Sequence, residues 1–355
     1  MTCGAAVDDP RQPDSDRAGG LSIRELEVAY ATDQGLVKVL NRVSFDVRPG
    51  ETLGVVGESG SGKTQTVLSV LGLIPRPPGR ILGGEAILDG RDLLTLSAGE
   101  MRQVRGAQIG MVFQDPMTSL NPVMPIGKQV AEAVKAHSPQ QSRARLRARA
   151  TELLDMVGLP SPARQLTRYP HELSGGMRQR VGIAIAIANG PQVLIADEPT
   201  TALDVTIQAQ VLEVLHRLKA ETRASLVLIT HDLSVIAEFA DRVVVMYAGQ
   251  VVECGDVDQI FHAPRHPYTV GLIASKPAIG GPGKDGHDLA AIPGQPPSAL
   301  NPAKGCSFQP RCQLSGDRAV CREDPPELVD VGESHTSRCH WTDEVQAFAE
   351  SRIDV

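Results

Sequence analysis

Leu53-Gly54-Val55-Val56-Gly57-Glu58-Ser59-Gly60-Ser61-Gly62-Lys63-Thr64 is the stretch on which the fold turns. Its first four residues have strand character. Residues 63–73 read as a helix, stopped by Pro75, Pro77, Pro78 and Gly79. Between them, 57–64 is a complete G-x-x-x-x-G-K-[ST] pattern, and strand before with helix after is the context that gives the pattern meaning. Such a loop binds a nucleoside triphosphate because bare amides, backed by the positive end of a helix, cradle phosphate oxygens. On this reading Gly57, Ser59, Gly60, Ser61 and Gly62 form the cradle. Lys63 neutralises β- and γ-phosphate oxygens, and Thr64 is a ligand of Mg²⁺.

Working outward, 193–196, 226–229 and 243–246 are continuous apolar runs, as expected for parallel strands covered on both faces. The first ends on Asp197-Glu198-Pro199. A carboxylate closing a buried apolar strand needs a cation to stay ionised, so Asp197 is assigned to Mg²⁺, directly or through water. Further strand-like pieces lie at 23–29, 43–47, 85–88 and 109–113, while 126–135 and 142–157 have helical character. The expected class is α/β: a nucleotide-binding core with a helical subdomain inserted over about 115–170.

Leu173-Ser174-Gly175-Gly176-Met177-Arg178-Gln179-Arg180 lies between the phosphate loop and the carboxylate pair. In that order the three segments closely resemble the ATP-binding-cassette (ABC) family. The resemblance implies a P-loop domain made of a RecA-like core, an antiparallel β subdomain and a helical subdomain. In the family, the Ser-Gly-Gly element opens a helix aimed at the γ-phosphate of an ATP held by another subunit. A hydroxyl and glycine amides at a helix N-terminus suit that task. Ser174, Gly175 and Gly176 therefore contact nucleotide across a dimer seam, which Ala202-Leu203-Asp204 also crosses. By the same resemblance Glu198 polarises the attacking water as general base, and Gln114 meets both Mg²⁺ and that water. His231 contacts the γ-phosphate and Tyr30, after the first strand, stacks on adenine. Met177 stands where much of the family has Gln, a departure that leaves every hydrolytic position filled.

Phe113-Gln114-Asp115-Pro116-Met117-Thr118-Ser119-Leu120-Asn121-Pro122, Tyr169-Pro170-His171-Glu172 and His266-Pro267-Tyr268-Thr269 look like the oligopeptide/dipeptide (and nickel) importer branch. That implies an ATP-hydrolysing subunit that energises uptake of short peptides. Its partners would be a second ABC ATPase, a heterodimer in preference to a homodimer, and two transmembrane permease subunits. An extracytoplasmic binding protein would act indirectly. Nickel or another small solute is the alternative cargo. A mechanochemical ATPase of DNA repair shares the motifs but usually carries a long coiled coil or zinc modules between loop and signature. The segment between Lys63 and Ser174 is short and lacks sustained heptads.

The 355 residues are 41% hydrophobic and 22% charged, within the range of globular proteins. A net charge of −7 gives no reason to expect nucleic-acid binding. The longest apolar runs, such as 181–188, fall far short of the roughly 20 residues that span a bilayer. The expectation is a peripheral protein on the cytoplasmic face of the membrane, with residues 1–20 disordered, a cassette over 21–260 and an extension over 261–355.

That extension is rich in Pro and Gly and holds Cys306, Cys312, Cys321 and Cys339, spaced x5, x8 and x17. Cys3 and Cys254 are isolated in sequence, and a cytoplasmic setting argues against a disulfide framework. Three readings apply to the four: packed thiols, a Zn²⁺ site, or a [4Fe–4S] cluster. Structural zinc sites usually include a close Cys pair, which is missing here, whereas a cluster tolerates wide spacing. Arg311, Arg318, Arg322 and Arg338 could offset the net negative charge of a thiolate-bound cluster. Gly305-Cys306-x-Phe308-x-Pro310-Arg311-Cys312 also resembles the C-terminal extension of peptide-importer ATPases, some of which hold such a cluster. The expectation is a mainly structural [4Fe–4S] cluster, with Zn²⁺ as the alternative.

Overall fold

In the computed structural model, residues 20–201, 203–275 and 292–352 are described. The tail expected to be disordered, apart from Gly20, and Ala202 of the seam loop lie outside them.

Two sheets organise the chain. Strands β1 (Leu21–Thr32), β2 (Gly35–Val47), β4 (Gly79–Leu88) and β5 (Arg91–Asp92) form an antiparallel sheet in the order β2-β1-β4-β5. Leu21 pairs with Val47 on one side and Leu88 on the other. The second sheet contains β3 (Thr52–Val56), β6 (Ile109–Val112), β7 (Val193–Asp197), β8 (Ser225–Ile229), β9 (Arg242–Tyr247), β10 (Gln250–Asp256), β11 (Val329–Gly332) and β12 (His335–Ser337). Its order is β11-β12-β10-β9-β3-β8-β7-β6. The five strands from β9 to β6 run parallel, while β10, β12 and β11 continue the sheet antiparallel.

Burial on both faces explains the unbroken apolar runs. Leu53, Val55, Val227 and Ile229 pack under the antiparallel sheet with Leu26, Val28 and Phe45. Their neighbours Val56, Leu226 and Leu228 face the opposite core. Successive strand residues point to opposite faces, so each must be apolar when both faces are covered. Each buried Leu, Ile or Val contributes about 1.5–3 kcal/mol.

Helices α1 (Lys63–Val70) and α2 (Ala98–Val104) lie on the side of the antiparallel sheet. The expected helical insert comprises α3 (Pro116–Ser119), α4 (Ile126–His137), α5 (Arg143–Met156) and α6 (Pro162–Gln165). Val130, Val134, Leu153 and Leu154 bury its inner faces in the same core as Val181, Ile183 and Ala184 of α7 (Gly175–Ala186). Helices α8 (Val205–Thr222), α9 (Leu233–Phe239) and α10 (Val257–His262) complete that layer.

The C-terminal part holds α11 (Pro267–Ala274), α12 (Ala319–Glu323) and α13 (Thr342–Glu350). It is less loop-like than its composition suggests, because β11 and β12 extend the main sheet through the pairs Glu253–Ser337 and Cys254–Thr336. Cys254 is disulfide-bonded, which departs from the reading of the cysteines as thiols. Among the described residues, no helix is long and apolar enough to cross a membrane.

Candidate functional site

The parallel strands β3, β8, β7 and β6 all deliver their C-terminal ends to one edge of the sheet, the position where open α/β sheets bind ligands. From β3 the chain enters the phosphate loop. Gly57 has φ 151°, and a Cβ there would overlap the Met246 carbonyl of β9, so only glycine fits. Gly62, with φ 103°, starts α1. Lys63 is buried, and its Nζ donates to the carbonyls of Gly57 (2.7 Å) and Glu58 (3.0 Å). Burial pulls the pKa of this ammonium down, opposed by the negative charges of Glu198, Asp197 and Glu58.

Thr64 Oγ1 donates to Asp197 Oδ1 at 3.0 Å, joining residues far apart in the chain. Asp197 is 2% exposed, and burial raises its pKa. The Thr64 hydrogen bond opposes that shift, the Glu198 charge adds to it and Lys63 counters it. A hydroxyl beside a desolvated carboxylate is a hard-oxygen pair suited to Mg²⁺.

Glu198 adopts the left-handed region at φ 45°, uncommon for a residue with a side chain and a recurrent feature of functional sites. Its N–H donates to the Ile229 carbonyl of β8 at 2.9 Å. Its Oε2 accepts from Gln114 Nε2 (2.9 Å) and Thr201 Oγ1 (2.9 Å), and His231 Nδ1 lies 3.7 Å away. The residues expected from sequence thus form two bonded pairs, Thr64 with Asp197 and Gln114 with Glu198, held next to each other by the Asp197–Glu198 peptide link, with His231 beside the second. Gln114 is bonded to Glu198, with no bond to Thr64 or Asp197 described. Thr201 is an addition made by the structure; in sequence it is marked only by a hydroxyl three residues after Glu198.

Tyr30 lies within β1, two residues before its end, not beyond the strand as expected. Its hydroxyl donates to Gln65 Oε1 of α1 at 2.7 Å, which places the ring beside the phosphate-loop helix. Ser59, Gly60 and Ser61 occupy the loop itself.

Ser174 caps α7: its Oγ accepts from the Met177 N–H at 3.3 Å, while the residue remains exposed. Gly176 is buried, and a Cβ there would overlap Ile207 Cγ2 of α8. Asp204 caps α8 by accepting from the Ile207 N–H. Neither Ser174 nor the two glycines bonds to the network around Glu198 within this chain.

The four clustered cysteines line one cavity with His266, Phe308, Ser315, His340 and Trp341. The Cys306 N–H donates to the Cys321 carbonyl at 2.9 Å. Backbone amides of Phe308 and Gln309 point at the Cys306 sulfur, those of Ser315 and Leu314 at Cys312, and that of Trp341 at Cys339. Burial pushes Cys306 up to about 11, Cys339 up to about 12, and Cys312 upward. Among the described residues, no three Cys, His, Asp or Glu side chains are placed to hold a metal ion.

A family model described as "ABC transporter" matches residues 40–201, and one described as "Oligopeptide/dipeptide transporter, C-terminal region" matches 252–321. The oligopeptide transport ATP-binding protein OppD of Bacillus subtilis (strain 168) is 50% identical, covering 89% of this chain and 87% of its own length. The dipeptide transport ATP-binding protein DppD of Escherichia coli (strain K12) is 47% identical over 90% of this chain and 96% of its own. A solved dimeric, post-hydrolysis structure of the ATP-binding cassette MJ0796 bound to ADP and Pi is similar at TM-score 0.60 and 28% identity. It covers 67% of this chain and 98% of that one.

Proposed function

The chain belongs to the ATP-binding subunits of ABC-type oligopeptide and dipeptide importers, and from that premise we propose how its residues divide the work. It hydrolyses ATP to energise uptake of short peptides through a membrane permease. The observation that carries the assignment of roles is the convergence of Thr64, Asp197, Glu198, Gln114 and His231 where four parallel strands end.

Lys63 and the loop amides hold the phosphates, and Tyr30 stacks on the base. Thr64 and Asp197, with Gln114, would hold Mg²⁺, which when bound screens phosphate charge as the γ-phosphoryl group transfers. Glu198 accepts a proton from the water whose oxygen attacks the γ-phosphorus, while the bond to the bridging oxygen breaks. Gln114 and Thr201 fix the orientation of that carboxylate, and His231 reaches toward the γ-phosphate. Ser174, Gly175 and Gly176 complete the ATP site of a second subunit, for which we favour a different ATPase chain. Val205, at the start of α8 beside the expected seam, is 84% exposed, an apolar surface that a second subunit of either kind would cover. The assembled protein sits peripherally on the cytoplasmic face, and the helical insert over 115–170 receives the permease. Replacing Glu198 with Gln should preserve MgATP binding and stall hydrolysis with the dimer closed. Wild-type turnover by that variant would remove Glu198 as base.

The cysteine cavity is proposed to hold a [4Fe–4S] cluster on Cys306, Cys312, Cys321 and Cys339. Support comes from four sulfurs around one cavity, and from backbone amides aimed at three of them, which stabilise cluster-bound thiolate. Bound to these four residues, a cluster would supply a covalent staple to a segment short of apolar core. One Zn²⁺ is the second reading, and either group requires the four thiols to rearrange from where they stand.

A further inference from the structure

Glu58 is the one acidic residue in the phosphate loop, 57–64, and every polar group it has is engaged. Its carbonyl accepts from Lys63 Nζ at 3.0 Å. Its N–H donates to the Tyr268 hydroxyl at 2.8 Å. Its carboxylate is held in a two-pronged pair by Arg311, with Nη1 to Oε2 at 2.6 Å and Nη2 to Oε1 at 2.9 Å. Tyr268 and Arg311 both come from the C-terminal part of the chain; Arg311 is 253 residues away in sequence.

The guanidinium is fixed independently of Glu58. Its side chain is 5% exposed, Nε donates to the Pro293 carbonyl at 2.9 Å, and Cζ sits 5.8 Å from the Tyr247 ring centroid. Tyr247, Tyr268 and Phe308 pack on one another with ring centroids 4.6–5.4 Å apart, a rigid backing for the pair. A planar fork held this way loses little further freedom on binding a carboxylate.

Electrostatics gives the arrangement a consequence beyond fastening. An uncompensated carboxylate on a loop that receives a polyanion repels its ligand. Arg311 cancels that charge and holds the backbone unit whose carbonyl Lys63 contacts. We propose that Arg311 is a positioning residue of the ATP site: docked from the C-terminal segment, it neutralises Glu58 and sets the loop for nucleotide. The proposal rests on the reading of 57–64 as the ATP loop.

Equilibrium dialysis of MgATP against the purified full-length chain tests it. Arg311→Met should raise the Kd about five- to tenfold, the low end of coupling between linked sites. Adding Glu58→Gln to that variant should bring the Kd back to within about threefold of wild type, since the repulsive charge is then gone. An unchanged Kd in Arg311→Met overturns the proposal. So does an equal loss in the double variant, because a purely structural Arg311 cannot be rescued by removing a charge. Should Arg311→Met fail to fold, Arg311→Gln, which is also uncharged but polar, decides: a weakening that Glu58→Gln reverses supports the idea, and no weakening refutes it. Wild-type protein that does not bind MgATP would instead bring down the ATP-loop reading, and this proposal with it.

Discussion

Gly176 was expected from sequence to serve as a bare amide donor, and the structure gives it a second duty. A Cβ built on it overlaps Ile207 Cγ2, while Ile207 Cβ stands at an ordinary 3.7 Å. Because Gly176 is buried where α7 meets the start of α8, the two helices must part or Ile207 must leave its place. Overpacking of this kind costs about 1–3 kcal/mol. Replacing Gly by Ala near the start of a helix returns some of that, at most about 1 kcal/mol. Gly176→Ala should therefore lose about 1–2 kcal/mol in urea denaturation of the full chain. Ile207→Ala removes Cγ2 and, on the other branch, Cγ1 and Cδ1, so it should suppress the Gly176→Ala defect, with a coupling of at least about 1 kcal/mol in a double-mutant cycle. Ile207→Val keeps Cγ2 and should suppress nothing. A Gly176→Ala variant as stable as wild type, or equal relief from valine and alanine at 207, would refute the packing argument.

Three further outcomes follow from other parts of the molecule. Protein purified without oxygen should be brown with about four irons per chain, and Cys312→Ser should lose the colour; colourless protein with one zinc would transfer the site to Zn²⁺. His266 is buried, its Nδ1 accepts from the Tyr268 N–H, and burial pulls its pKa down to about 3. Because that lies below an unfolded value of about 6.5, its stabilising contribution is present above pH 6.5 and is lost as pH falls toward 3. His266→Gln should flatten the fall in urea stability between pH 7 and pH 4, and an unchanged slope would exclude His266 as a source. Arg242 Nη1 pairs with Glu51 Oε1 at 2.9 Å, both side chains almost wholly buried, so Arg242→Met should cost about 3–5 kcal/mol by stranding the carboxylate. A loss below about 1 kcal/mol would show that Glu51 finds other compensation.

The reach of the sequence reading follows the range of the interactions involved. Strands β3, β7, β8 and β9 were legible almost to the residue because burial on both faces leaves only apolar side chains in a row. The Ser174 cap was legible because capping is local. Strand β2 begins at Gly35, well before the expected 43, since its first half is largely exposed and Lys38, Asn41 and Arg42 interrupt its apolar residues. Strand β12, three residues long, exists because the edge of β10 is there to receive it, and nothing within His335–Ser337 announces that edge. The same reasoning covers the site. Thr64, Asp197 and Glu198 sit in motifs whose chemistry is written in consecutive residues. The Arg311–Glu58 pair and the placement of Tyr268 join distant segments and appear only in three dimensions. The thiol cavity falls between these cases: clustering of the cysteines was visible in sequence, and the amides directed at their sulfurs were not.

We propose that ATP hydrolysis at the Thr64–Asp197–Glu198 site drives peptide import. The most direct measurement is uptake of a labelled short peptide into vesicles that carry the two permease subunits, this chain and its partner ATPase, with the binding protein supplied on the entry side. With wild-type chain, uptake should require MgATP and rise with phosphate release. With Glu198→Gln in this chain and the equivalent change in its partner, both should stop while bound ATP persists. Sustained peptide uptake with hydrolysis blocked, or vigorous hydrolysis that moves nickel and no peptide, would contradict the account.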